Sequence, residues 1–316
     1  MPETAQIDLL PAAQVARETP VQQAANGLCY TAFAETKLPD GELEHIVNAV
    51  PRPIAAALNH RAYYFVPLTI HQHDEGALSG EAAISGDAAI SGDAIPDDAH
   101  TSGETLIAPR YSTELSDRAI CHRNVHFAGA DCIFISTRLM QDKFALAFEL
   151  FINIGHHFVE AVGAPRAFED LVLRQIEAGV RGEASHDAWE NRNRAFGETP
   201  GDAASGRVGR LGRGPDRTAD RTTDRSLDRS SDRELSSAPT RPVLDEKART
   251  AYIHAAFADT IAIYLLSLTL DFDYMDLRER EYPLLAAPAL AERLRAIAAL
   301  FPPAPNYDFQ ILYRRR

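Results

Sequence analysis

The stretch Phe144–Gly163, FALAFELFINIGHHFVEAVG, decides how the rest of the chain is read. On a wheel of 100° per residue, Asp142, Glu149, Asn153, His156 and Glu160 fall within about 60° of one another. Phe144, Phe148, Phe151, Ile152, Ile154, Phe158, Val159 and Val162 cover most of the remaining circumference. A helix with a narrow polar stripe and a wide apolar face belongs in a core, with the stripe turned to water or to a function. Ser136 or Thr137 is the expected cap at its start, and Gly163 with Pro165 the expected stop.

Working outward, CIFIS (Cys132–Ser136) and NVHFAG just before it read as short strands that lead into this helix. Upstream, Asp40 caps a short helix, GELEHIVNAV, and AYYFVPLTI (Ala62–Ile70) has the β-branched and aromatic content of one strand. Downstream, Asp245 to about Leu270 and Pro288 to Phe301 read as helices, Pro288 being suited to a first turn. The closing NYDFQILYRRR is expected to add a strand or dock on the domain. The fold class is α+β: a small sheet packed on a long central helix, with further helices at the C-terminal end.

Two segments lack the apolar residues to join that core. Between Asp74 and Glu104 there are eight acidic residues and no Lys or Arg, and SGEAAI, SGDAAI and SGDAI repeat one another. This segment supplies most of the formal net charge of −13, so the remainder is only mildly acidic. In DRTADRTTDRSLDRSSDR the Asp-Arg pair recurs every four residues, which on a helix would stack like charges. Residues 1–27 are therefore expected to be a partly disordered N-terminal segment. Residues 28–313 are expected to form a single domain, interrupted by an acidic low-complexity loop at 74–105 and a disordered Asp-Arg linker at 178–242.

Composition excludes several function classes. The charge balance argues against nucleic acid as partner, because that affinity depends on net positive charge. No run reaches the roughly 18 apolar residues of a membrane span. Ala255–Leu270 comes nearest and carries Asp259, so it reads as a buried core helix. The first residues lack the basic start and apolar stretch of a signal peptide, and Cys29, Cys121 and Cys132 have neither CxxC spacing nor an even count. A cytoplasmic location with reduced thiols is the expectation.

The run CIFISTRLMQDKFALAFELFINIGHHFVEAVG resembles the edge strand and active-site helix of zincin metallopeptidases. In that family H-E-x-x-H, often H-E-x-G-H-H, places two zinc-binding His one turn apart with a Glu general base between them. The corresponding residues here are Ile152, Asn153, Ile154, Gly155, His156 and His157. Ile152 stands where the first ligand belongs and Asn153 where the base belongs. An isoleucine binds no metal, and an amide takes no proton from water near neutral pH. AYIHAAFADTIAIYL (Ala251–Leu265) is similar to a later zincin helix that reads E-x-F-A-E/D-x-x-A-x-Y, and Ala255 occupies its ligand position. The resemblance implies a zincin-like domain that needs no cofactor and works by binding a protein or ligand, through the old substrate groove or the 178–242 linker.

Two alternatives stay open. In the first, a metal-dependent hydrolase carries a rearranged zinc site around His156, drawing on Glu149, His157, Glu160, His254 and Asp259. In the second, the chain is an unrelated α+β interaction domain. A polar stripe facing Asp259 across a groove would favour a zincin-derived site, and one facing bulk solvent the unrelated domain. His71 with His73, and Cys121 with His122 and His126, are lesser candidates for metal or nucleophile chemistry. No G-x-S-x-G, P-loop or G-x-G-x-x-G is present.

Overall fold

The computed structural model describes residues 8–39, 41–71, 104–140, 142–197, 242–278 and 281–312. Asp40, residues 74–103, residues 198–241 and the terminal Arg residues lie outside the described residues, as do the readings that fall on them.

The described chain is α+β with two small sheets, where one was expected. The larger is ordered β2 (Gln22–Gln23), β3 (Cys29–Ala32), β4 (Arg61–Val66), β9 (Ala130–Ser136) and β8 (His122–Phe127). Its three central strands β3, β4 and β9 are parallel, and β2 and β8 run antiparallel at its two edges. The smaller is wholly antiparallel: β1 (Leu10–Pro11), β6 (Thr105–Ala108), β5 (Leu68–His71) and β7 (Ala119–Ile120).

The stretch read as one strand from Ala62 to Ile70 is divided at Pro67, with β4 in one sheet and β5 in the other. Proline has no N–H to give a central ladder, so the pairing must change partners there. Ser136 fastens the join. Its hydroxyl donates to Ile120 O (2.6 Å) and accepts from Thr69 N–H (2.8 Å). Thr137 donates both its amide and its hydroxyl to Val66 O. These two residues therefore stitch the sheets together, and the long helix begins later, capped by Asp142, whose carboxylate accepts from Ala145 N–H (2.9 Å).

Both faces of the larger sheet are covered, which is why YYFV and CIFI read as unbroken apolar runs. Tyr63, Phe65, Ile133 and Ile135 point into the main core. Tyr64, Val66, Cys132 and Phe134 point the other way, against α1 (Ala12–Glu18). The main core is built from α2 (Glu42–Asn48), α3 (Arg52–Ala57), α5 (Lys143–Val162), α6 (Arg166–Glu177), α8 (Glu246–Thr269) and α9 (Ala287–Leu300). A short helix α4 (Thr113–Ser116) precedes β7. The C-terminal segment docks without pairing: Tyr307 donates to His45 O (2.6 Å), and the Phe309 ring packs on Tyr264.

Helices α5 and α8 cross where Gly155 meets the backbone of Ala258. A Cβ on Gly155 would lie 2.5 Å from Ala258 O, so only glycine permits the approach. Along α8, 83% of the most apolar window is buried. By length and composition alone it is the one helix among the described residues that would span a membrane.

Residues 178–197, assigned from sequence to a linker, are part of the core. They carry α7 (His186–Phe196), packed along α8, and a buried ionic network in front of it. Glu183 is fully buried and accepts from Arg293 Nη1 (2.8 Å) and Tyr252 Oη (2.6 Å), with Arg192 Nη1 at 3.4 Å. Arg192 also donates to Gly182 O (2.8 Å) and Val180 O, and Arg293 donates to Gln175 Oε1 (2.8 Å). Gly182, at φ 75°, lets the loop lie against Leu284, whose carbonyl a Cβ would meet at 2.1 Å. Burial here is achieved with charges, so the apolar count of the segment stays low. The first 27 residues likewise contribute β1, α1 and β2 from residue 8 onward.

Two outcomes follow for stability. Gly155→Ala forces α5 and α8 apart and is expected to cost about 1–3 kcal/mol, the usual range for overpacking, read as a lower urea midpoint. Glu183→Ala removes the carboxylate that faces two buried guanidinium groups, and a loss of about 3–5 kcal/mol is expected in the same assay.

Candidate functional site

The middle of the polar stripe of α5, from Glu149 to His156, faces neither bulk solvent nor Asp259, while Asp142 and Glu160 at its ends are exposed. It lies against the edge strand β8. Alternate residues of a strand share a face, and His122, Asn124 and His126 all turn toward the α5 side. His122 Nδ1 sits 2.5 Å from Glu149 Oε1, Asn124 Nδ2 3.3 Å from His157 Nε2, and His126 Nδ1 2.9 Å from Asp131 Oδ1. Asn153 completes the first pair, its amide donating to Glu149 Oε1 (3.3 Å) and to Glu149 O (2.9 Å).

His157 is 4% exposed and has both ring nitrogens engaged, Nε2 with Asn124 and Nδ1 with Tyr63 Oη at 3.1 Å. Burial, reinforced by the Arg61 cation, pushes its pKa down to about 3. It is a neutral structural histidine bridging β4, β8 and α5, with no free nitrogen for a metal. His156 is partly buried and its pKa is lowered by desolvation and then by His122. Glu160 is exposed and pairs with Arg61 Nη2 (2.9 Å). Arg61 Nε also donates to Asp131 (3.3 Å), whose carboxyl is held below the usual carboxylate range, chiefly by the His126 hydrogen bond.

The two candidates on α8 do not join this face. Asp259, 4% exposed, accepts from Ser185 Oγ (2.6 Å), which ties it to the start of α7. His254 is exposed and makes no hydrogen bond or ion pair with the stripe. Ala255 packs against the main core. Of the lesser candidates, His71 ends β5 and His73 lies outside the described residues. Cys121 lies at the bend between β7 and β8, outside both strands. Among the described residues no group of three or more His, Cys, Asp or Glu is placed to hold a metal ion.

What remains is an anchored pair. Glu149 fixes the orientation of His122 by holding Nδ1, the arrangement that orients a general base, and among the described residues no Ser, Thr or Cys hydroxyl or thiol is hydrogen-bonded to the imidazole. Sequence reading found Glu149 and Asn153 but missed Asn124, and it grouped His122 with its neighbour Cys121. The period-two alternation of His122, Asn124 and His126 was the signal that would have placed them opposite the stripe.

The outer edge of β8 is also legible. Ser136 N–H donates to Cys121 O (2.8 Å), which makes Cys121–Ser136 a hydrogen-bonded pair of the antiparallel ladder. Pairs alternate, so the backbone N–H and C=O groups of His122, Asn124 and His126 point outward. Among the described residues no strand pairs with that edge. A separate cavity of about 750 Å³ lies between the α2–α3 corner and Pro302–Tyr307, and none of the stripe residues lines it. Comparison of the chain with models of protein families, with curated proteins and with solved structures finds no match.

The state of His157 has a measurable consequence. Its unfolded form takes up a proton below about pH 6.5 while the folded form stays neutral to about pH 3. Stability therefore falls as pH drops through that window, by about 1.4 kcal/mol per unit from this group. The His157 ring resonances are expected to stay unshifted in an NMR titration from pH 8 to pH 5.

Proposed function

We propose that this chain is a zincin-like domain without metal chemistry, whose α5–β8 face binds an extended peptide segment of a partner protein. The observation that carries the reading is the outer edge of β8, which pairs with no strand among the described residues and lies beside the polar stripe of α5. An exposed edge offers a row of unpaired backbone donors and acceptors, and an added strand satisfies them while side-chain pockets choose the sequence. Here alternate positions of an added strand would meet His122, Asn124 and the α5 stripe.

The zincin part of the reading rests on three supports: an antiparallel edge strand beside a parallel set, a long helix that starts at Lys143 after β9, and a second long helix crossing it. The strand before the helix, read from sequence as the edge, is the inner neighbour of the edge strand β8. Two registers of H-E-x-x-H fit α5. The register through Ile152, Asn153 and His156 keeps one ligand and loses the base. The register through Phe148, Glu149 and Ile152 keeps the acid and loses both ligands. Phe148 and Ile152 pack against the main core, and Glu149 is already engaged by His122. Neither register holds zinc.

The test uses the full chain, fluorescently labelled, on an array of random-sequence octapeptides. A reproducible subset of peptides is expected to bind. His126→Pro removes an outward N–H without breaking the β8–β9 ladder, and should weaken binding at least tenfold relative to His126→Ala, which loses the Asp131 contact equally. An array with no signal, or equal binding by the two variants, would overturn peptide docking at this edge. Bound metal is measured by mass spectrometry on the same preparations: about one equivalent of zinc, lost in His156→Ala, would overturn the metal-free reading and put a rearranged metal site around His156 in its place.

A further inference from the structure

We infer that the Asp259–Ser185 pair is an acid-stabilised latch that holds the first turn of α7 onto α8 and loosens it as the medium becomes neutral. Ser185 has two tasks. Its hydroxyl caps α7 by accepting from Ala188 N–H (3.1 Å), and it donates to Asp259 Oδ2 (2.6 Å) from the side of α8. The start of α7 is thus attached to the core through one carboxyl group.

The groups around that carboxyl disfavour its charge. Glu183 from the preceding loop and Asp187 from the first turn of α7 add like charge, while Arg293 of α9 and the Ser185 hydroxyl oppose them. Arg293 is itself committed to Glu183. Desolvation dominates, and the Asp259 pKa is pushed up to about 7. When the first turn of α7 lifts away, the carboxyl meets water and returns toward the ordinary value near 4. Between those two values the closed form holds a proton that the open form has released. Opening is therefore favoured progressively from about pH 4 to pH 7 and levels off above. Acid closes the latch. The rest of α7 is held independently by Arg192, whose guanidinium reaches Gly182 O and Val180 O, so release is confined to the N-terminal turn.

The local readout is amide hydrogen exchange of Ala188, bonded to Ser185 Oγ, and Trp189, bonded to Ser185 O (3.1 Å), corrected for intrinsic exchange. Global stability is a poor substitute, since His157 imposes the opposite pH slope over the same range. On going from pH 7.5 to pH 5, protection of both amides in the wild-type chain is expected to rise between ten- and a hundredfold. In Asp259→Asn, which mimics the neutral acid in shape, the ratio should fall to about one. No rise in the wild type, or the same rise in the variant, overturns the latch. A measurement that needs no variant stands beside it: the wild-type chain should show the infrared band of a protonated, buried carboxylic acid at pH 6 and lose it by pH 8. Absence of that band at pH 6 also overturns it.

Discussion

The approach of Gly155 to the backbone of Ala258 is the constraint around which the other elements arrange themselves. It lets two long helices lie closer than side chains would allow, and it fixes which face of each is committed to the other. On α5 the stripe lies on the side of the helix away from Gly155. Turned from α8, it meets the larger sheet, where β8 supplies His122 to Glu149 and β4 supplies Arg61 to Glu160. On α8 the faces not pressed on α5 are covered by α7 and α9. The glycine that the resemblance set in a zinc motif is the one this packing requires.

Two polar systems result, on opposite sides of this helix pair, and they differ in kind. The Glu183 network is closed: two arginines, a tyrosine and backbone carbonyls satisfy one another out of water, where an unpaired member would be costly. The α5–β8 face is partly open, with Glu149 and His122 at its rim and only His157 sealed inside. Closed networks fix a fold, and open ones meet ligands. The two sides also carry opposite proton linkages, Asp259 favouring acid and His157 opposing it. Each is concealed in a measurement of the whole molecule and visible only locally.

Sequence disclosed the elements whose burial is apolar and periodic. The start of α8 at Asp245, the end of α5 at Gly163, Pro288 in the first turn of α9 and the run from Cys132 to Ser136 are all where pattern placed them. The α+β class followed from those elements. The loop before α7 and α7 itself were taken for linker because arginines and a glutamate do the work there that leucines do elsewhere, and charge pairing leaves no hydrophobic period to read. The single sheet became two because Pro67 interrupts a run whose composition does not change. The stripe on α5 was visible on a wheel, but which element it faces depends on the long-range register of β8 with β9. Whether Asp259 faces the stripe could therefore only be posed as a condition, and its hydrogen bond is to Ser185 instead.

Helix α8 has the length and composition of a segment that lipid would accept, and the fold hides it. Its companions are arranged favourably in time as well as in space. The strands of both sheets and helices α5, α6 and α7 all precede it in the chain, so during synthesis its docking surface is complete before it leaves the ribosome. Among the described residues, α9 and the docked C-terminal segment arrive later. An apolar helix that would be a hazard as an early, unpartnered segment is delivered as the piece that closes a prepared cavity.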